Sequence, residues 1–449
     1  MDADTTALRV QAFSRPTIDM AALNDHLSDE EIETICLQLG HEWRERVFPP
    51  AITVRSIVYR SLYPDKSIDA VLADMAATAP WVDPPTDAAW CQARDRLPED
   101  LLKGLVKRSA ARLIRRYGVP YRQWGRPVYR FDGTTVSMPD SPELIAHFGY
   151  ANTKHGLSRF PVARVGAWVA AGTEGVCAYR MDPYITDERV QFRAGWDVLP
   201  RGAICLCDKK FSNFYDLAKL RQRGVAMITR LHQRRDPHKL IAAGTKIGHN
   251  EWRVPLLLAP QLRKRYDDPS LPQKLWVRLI RGTFRHNGKH RTLWLVTTLT
   301  DAEYYARKGI VALYRDRWTI ETRIGTIKVI LEAKVLRSQS VQGVQKELAG
   351  RLLAYNLVWT IIHQAADRTG IDADRISFAD AAKVILAFSV ALRGLRGRQR
   401  RYIYGRMLDY VAIHTNPHRP GRIEPRLIKR DRRKYAFLKE PRDKARLRA

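Results

Sequence analysis

Tyr314, Arg317, Glu321 and Lys328 fall at offsets of 0, 3, 7 and 14 along a segment whose apolar residues recur at helical spacing. At roughly 100° per residue they lie within about 60° of one another, so a ring, a guanidinium, a carboxylate and an ammonium share one stripe. The same spacing serves a salt-bridged surface helix, where an Arg317–Glu321 pair is ordinary. Two further acids shift the balance. Asp132 closes the apolar run VYRFD before Gly133, and Asp208 closes the run AICLCD. An acid that ends an apolar strand stands at the rim of a sheet, where α/β sites collect. One such Asp also suits a turn or a helix cap. Two of them with a helix carboxylate suit a pair of hard cations that take oxygen ligands.

The elements that must position these residues are readable in outline. From Asp25 to Tyr117 apolar residues repeat at helical spacing, and LSDEE offers Ser28 as an N-cap. The texture changes at Gly118. Three strands, around VYRFDGTTV, RVGAWVAAGT and GVCAYRMDPY, precede a helix over DERVQFRAGW, the strand AICLCD, a helix stopped by Gly224, and the strand VAMITRL. That order implies an α/β fold with a mixed sheet. Residues 232–300 read as a β-rich insertion with a hairpin turn at His286-Asn287-Gly288-Lys289. A long helical stretch then runs from 301 through 332 and carries the stripe, and more helices follow.

The expected division is an N-terminal helical DNA-binding or accessory domain over 1–117, a catalytic domain over 118–385, and a basic C-terminal region over 386–449. Residues 422–449 alone hold 12 Lys plus Arg against 4 acids. The 449-residue chain has 77 Lys plus Arg and 47 Asp plus Glu, a net charge of +30, which suits a polyanionic partner. Five cysteines without a C-x-x-C pair argue against a zinc site or a disulfide framework and imply a reducing, cytoplasmic setting. No signal peptide and no membrane span are expected, since no run of about 18 apolar residues occurs. Rival carboxylates are weaker. Glu332 lies about 16 Å along the helix from Glu321, Asp316 points off the stripe, and Asp182 and Asp187 suit capping. His147, His155, His232 and His238 lack ligand spacing.

On these residues the chain resembles the DDE transposases of the insertion-sequence-four type. Their helix signature, Y-x2-R-x3-E-x6-K, stands complete at Tyr314, Arg317, Glu321 and Lys328; Asp132-Gly133-Thr134 matches the first acid, and Asp208 the second. The β-rich insertion also fits, with 321 − 208 = 113 positions between second Asp and Glu. Lys209-Lys210 follows Asp208 where the family more often has Arg-Gly or a small pair. The resemblance implies a ribonuclease H-like mixed sheet flanked by helices and interrupted by a β-rich insertion, with an N-terminal helical domain and a helical, basic C-terminal region. It implies cut-and-paste transposition: phosphodiester hydrolysis at the element ends, then strand transfer into target DNA. Two Mg²⁺ ions, with Mn²⁺ as a substitute, would be held by Asp132, Asp208 and Glu321. Arg317, Lys328, Lys209 and Lys210 would contact DNA, and Tyr314 the end nucleotide; an ordinary half-buried tyrosine is the alternative. Trp318 would stack on a base or fill core, and Trp294 would wedge behind a flipped base or face the core. A homodimer on nucleoid DNA is the expected working form. Alternatives are a structure-specific nuclease of the same core and a non-catalytic DNA-binding derivative.

Overall fold

The computed structural model describes residues 20–44, 47–78, 84–153, 156–286, 289–317 and 319–416. The basic tail expected over 422–449 lies outside them, as does the hairpin turn at 287–288. Five helices come first: α1 (Asp29–Gln38), α2 (Pro50–Leu62), α3 (Ile68–Ala76), α4 (Asp87–Arg96) and α5 (Glu99–Tyr117). Ser28 caps α1 as expected, its hydroxyl accepting from the Glu31 amide at 3.2 Å. In α5 the buried residues Leu101, Leu102, Leu105, Val106, Leu113 and Tyr117 recur at helical spacing, so one face is apolar. Gly118 caps the end of the helix, where a Cβ would stand 2.4 Å from the Ile114 carbonyl oxygen and so would not fit.

Ten strands follow, all in one sheet: β1 (Val128–Ser137), β2 (Tyr150–Thr153), β3 (Gly156–Ala170), β4 (Val176–Pro183), β5 (Ile204–Cys207), β6 (Ala226–Arg230), β7 (Thr245–Gly248), β8 (Glu251–Leu257), β9 (Lys274–His286) and β10 (Lys289–Thr297). The sheet runs β3-β1-β5-β6-β10-β9-β8-β7, with β2 and β4 on successive stretches of β3's outer edge. β1 is antiparallel to β3 and parallel to β5, and β5 is parallel to β6. The order β4-β3-β1-β5-β6, with that mixture of directions, is the ribonuclease H-like sheet. Helices α6 (Pro142–Phe148), α7 (Glu188–Ala194) and α8 (Phe214–Gln222) connect its strands.

The insertion does not stand apart as its own sheet. β10 pairs antiparallel with β6, Leu295 opposite Arg230 and Thr297 opposite Ile228, so the hairpin extends the catalytic sheet and covers an edge that β6 would expose. Two short helices, α9 (Pro237–Ala242) and α10 (Pro260–Tyr266), interrupt its strands. The long helix expected over 301–332 is two, α11 (Arg307–Asp316) and α12 (Thr319–Val329). α13 (Val341–Thr369), α14 (Phe378–Leu392) and α15 (Gly397–Ile413) are the last helices among the described residues, and the boundary expected at residue 385 falls inside α14.

The first five helices do not form an isolated bundle. Their apolar faces share one core with α12, α13 and α14. α13 is buried along most of its 29 residues, and its Asn356 is fully buried. Asn356 Nδ2 lies 3.1 Å from the Val106 carbonyl, 3.0 Å from Ser109 Oγ and 3.1 Å from the Val176 carbonyl, while its Oδ1 accepts from the Val176 amide at 2.8 Å. One amide thereby joins α13, α5 and β4. Asn356→Ala strands those backbone groups away from water and should destabilise the fold by about 2–4 kcal/mol. Urea denaturation checks this; a loss under about 1 kcal/mol would show the bonds to be dispensable.

Candidate active site

Sheet register brings the two aspartates together. β1 and β5 run parallel with Val128 opposite Ile204 and Arg130 opposite Leu206. The ladder ends there, but the same register continued two residues would bring 132 level with 208, just past the end of β5. β5 is buried at all four positions, so its chain first reaches the rim at Asp208. Cys205 and Cys207 are packing residues on it, and all five cysteines are free.

Glu321 comes from the first turn of α12, and Arg317 ties it to the strand. Arg317 Nη2 donates to Glu321 Oε1 at 2.9 Å, and Nη1 stands 3.9 Å from Asp132 Oδ2. Burial would lower the Arg317 pKa, but Tyr314, the Glu321 bond and the Asp208 and Asp132 carboxylates hold it above its ordinary value. One buried guanidinium thus lies in the field of all three acids. Asp132 is short of positive charge even so. Burial pushes its carboxyl up to about 6, with Glu188 and Glu321 adding to the effect and the Gly133 amide and Arg317 opposing it.

Among the described residues no three His, Cys, Asp or Glu side chains stand close enough to hold a metal ion as placed. The Arg317–Glu321 pair gives the physical reason, since the guanidinium draws Glu321 to itself. The donor set still fits hard divalent cations. Its members are carboxylate oxygens, one of them, on Asp132, with a proton affinity raised by burial.

The other signature residues brace the helices against the strands. Tyr314 is fully buried, with its hydroxyl 3.5 Å from the Cys207 carbonyl oxygen, so it offers DNA no surface in this conformation; it pins α11 to the residue before Asp208. Lys328 Nζ donates to Thr134 Oγ1 at 3.0 Å, joining the end of α12 to β1. Burial, with help from Lys334, holds Lys328 below the usual lysine range. Trp318 lies outside the described residues. Trp294 is half-buried on β10, 5.7 Å from the Trp252 ring, with Arg281 6.0 Å above its own ring. Lys209 donates to Gln233 at 2.9 Å and Lys210 to Glu188 at 3.1 Å. Asp187 caps α7 as expected, whereas Asp182 bonds Arg180 and Gln191.

Four residues that the sequence reading passed over complete the site. Arg130, two positions before Asp132, donates through Nη1 to both Glu174 oxygens at 3.0 Å and through Nε to Asp316 at 3.1 Å. Glu174, wholly buried, also accepts from Arg323 Nε at 3.0 Å and from the Gly172 amide at 3.0 Å. Asp316, the last residue of α11, also accepts from Thr319 Oγ1, at the start of α12, at 2.9 Å. The fourth is Glu188, so close to Gly133 that a Cβ there would sit 2.1 Å from Glu188 Oε1. A charged residue inside the apolar run VYRFD was the one available signal for Arg130; turn and helix position gave none for Glu174 or Glu188.

The family described as transposase DDE domain matches residues 123–357, and the insertion element 4 transposase N-terminal family matches residues 17–107. Transposase InsG for insertion sequence element IS4, from Escherichia coli strain K12, is 24% identical over 430 residues, covering 93% of each chain. Among solved structures, a piggyBac transposase synaptic complex with hairpin DNA matches at 10% identity and a TM-score of 0.43, covering 93% of this chain and 89% of that one. A likeness that slight carries no argument.

Two outcomes are expected of this geometry. Glu174→Gln leaves two buried guanidinium groups under-compensated; it should cost about 3–5 kcal/mol in stability and raise the divalent metal concentration needed for half-maximal activity. A variant as stable as the parent by denaturant titration would remove Glu174 from its central place. The second concerns pH. Because burial raises the Asp132 pKa to about 6, the carboxyl keeps its proton in the metal-free fold below that pH, and a cation bound there must displace it. Mg²⁺ should therefore raise Tm more at pH 7.5 than at pH 5; equal shifts would contradict it.

Proposed function

The chain belongs to the transposase DDE-domain family, and from that premise we propose that Asp132, Asp208 and Glu321 are its catalytic acids. The observation that supports this most is the meeting of all three around Arg317 at the rim of the ribonuclease H-like sheet. The chain is a transposase, an enzyme that acts on DNA, and its family depends on divalent metal ions.

We take the metal to be Mg²⁺, with Mn²⁺ as a substitute. Asp132, Asp208 and Glu321 would hold the ions, which would supply an activated nucleophile and a stabilised leaving oxygen. Water attacks the phosphorus at the element end and the P–O3′ bond breaks; the freed 3′-hydroxyl then attacks a target phosphorus, whose own P–O3′ bond breaks to leave a target 3′-hydroxyl. The residues of the chain do the positioning. Arg317 exchanges Glu321 for the phosphate beside the cut, Lys328 neutralises a neighbouring phosphate, and Lys209 and Lys210 lie along the same rim. Trp294 supports a displaced base from the edge of the insertion. The helices over 1–117 grip DNA outside the catalytic domain of 118–385, and the basic region of 386–449 adds backbone contacts. Bringing two ends together takes two protomers, so the working form is a homodimer on DNA, in the cytoplasm at the nucleoid. Among the described residues no helix is long and apolar enough to cross a membrane.

Asp132→Ala, Asp208→Ala and Glu321→Ala should each abolish cutting and joining, a loss of at least roughly a thousandfold, while DNA binding stays within about threefold. A supercoiled plasmid carrying the element ends reports both steps. Retained cutting in any one variant would remove that residue from the site, and cutting without joining would favour a nuclease.

A further inference from the structure

We propose that a small cavity where α2 and α4 meet α13 binds one chloride ion. The cavity measures about 30 Å³ and is closed on its fourth side by residues 337 and 338. Arg60, Arg94, Arg337 and Arg351 line it with a single acid, Glu347. Three of the four guanidinium groups have an acid of their own. Arg94 Nη2 lies 3.0 Å from Asp95 Oδ1, Arg337 Nη2 2.7 Å from Glu332 Oε2, and Arg351 Nη2 2.6 Å from Glu347 Oε1. The other oxygen of Glu347 is engaged as well, accepting from the Arg337 amide at 2.8 Å and the Ser338 amide at 3.0 Å. Arg60 is the fourth. Among the described residues it pairs with no carboxylate, and its guanidinium lies 5.8 Å over the buried Trp90 ring.

Four cations against three acids leave one positive charge, and it is half-buried. Lys346, fully buried against the carbonyl oxygens of Arg94 and Asp95, adds to the excess. Burial lowers the Arg60 pKa most; Glu347 opposes this, while Arg337 and Arg94 add to it. A cation withdrawn from water without a partner is costly, and an anion in the cavity compensates it. Size selects which anion. Roughly 10–15 Å³ suffices for one water, so about 30 Å³ admits a bare halide. A phosphate held in a nucleic-acid strand does not fit. The close walls follow from Gly350, where a Cβ would stand 2.3 Å from Ile57 Cγ2, so α13 and α2 lie almost backbone to side chain. Residues 337 and 338 follow the segment whose Lys334 carbonyl accepts from the Ser137 amide at 3.0 Å. The ion thus links the first helices to the far end of the strand that carries Asp132.

The test melts the full chain in potassium gluconate, with chloride replacing gluconate at constant ionic strength so that general screening stays fixed. Gluconate is too large for the cavity. Tm should rise with chloride and then saturate, by about 2–4 °C in all, and bromide should act as chloride does. Arg60→Met keeps the side chain's length over Trp90 and removes its charge. The Tm of this variant should not depend on chloride, and in gluconate it should equal or exceed that of the unaltered protein. If Arg60 served packing alone, the variant would be less stable and its chloride response would remain. Crystals of the unaltered protein soaked in bromide give a reading that needs no variant: an anomalous peak should stand among Arg60, Arg94 and Arg351. Equal melting in chloride and gluconate, a chloride response that survives in Arg60→Met, or bromide bound elsewhere but not in this cavity would each overturn the proposal.

Discussion

Everything near the carboxylates hangs from Glu174. This one buried side chain accepts from Arg130 on β1, from Arg323 on α12 and from the Gly172 amide in the turn between β3 and β4. Each arginine then reaches a second acid, Arg130 to Asp316 and Arg323 to Asp374. A buried ion pair adds little net stability over an apolar replacement, because desolvation offsets the attraction; breaking one is what costs. Such a network holds geometry. Arg130 is two residues from Asp132, Arg323 two from Glu321, and Asp316 adjoins Arg317. The backbone is bent to deliver the hub: Glu174 takes a φ of 60°, in the left-handed region that favours glycine, and Gly172 has Tyr121 ring atoms where a Cβ would go.

Around that frame the charges are unbalanced in a purposeful direction. Asp132, Asp208 and Glu321 lie in the field of a single buried guanidinium, Glu188 adds its charge beside Asp132, and Lys210 attends Glu188 from the surface. Arg317 serves as an internal counter-ion to the three acids in the metal-free fold. Burial nevertheless raises the proton affinity of Asp132.

Much of this was legible in the sequence, and what was not has a common cause. Strands that end in an acid are visible because burial on both faces demands an unbroken apolar run, as in ICLC before Asp208. The helical stripe was visible because its period is local. Its interruption after Asp316 was not, since the residue that pulls Asp316 aside, Arg130, lies 186 positions away. Glu174 and Glu188 were missed for the same reason, being a turn residue and a helix-start residue until the fold sets them against Arg130 and Gly133. The insertion's strands could be read from their alternation, but not the ladder that joins β10 to β6, because register between distant strands leaves no local trace. Tyr314 is the reverse case, where family likeness suggested a ligand contact and packing shows a fully buried ring.

The ladder from β1 through β5 and β6 to β10 also fixes where Trp294 sits. Its own carbonyl accepts from the Leu231 amide, the residue after β6, at 2.8 Å, so it is carried on a ruler rather than on a hinge. With about 4.8 Å between adjacent strands, its backbone is locked roughly 10 Å sideways from the strand that ends at Asp208. The distance from that indole's backbone to the end of β5 is thus a property of the pleated sheet itself.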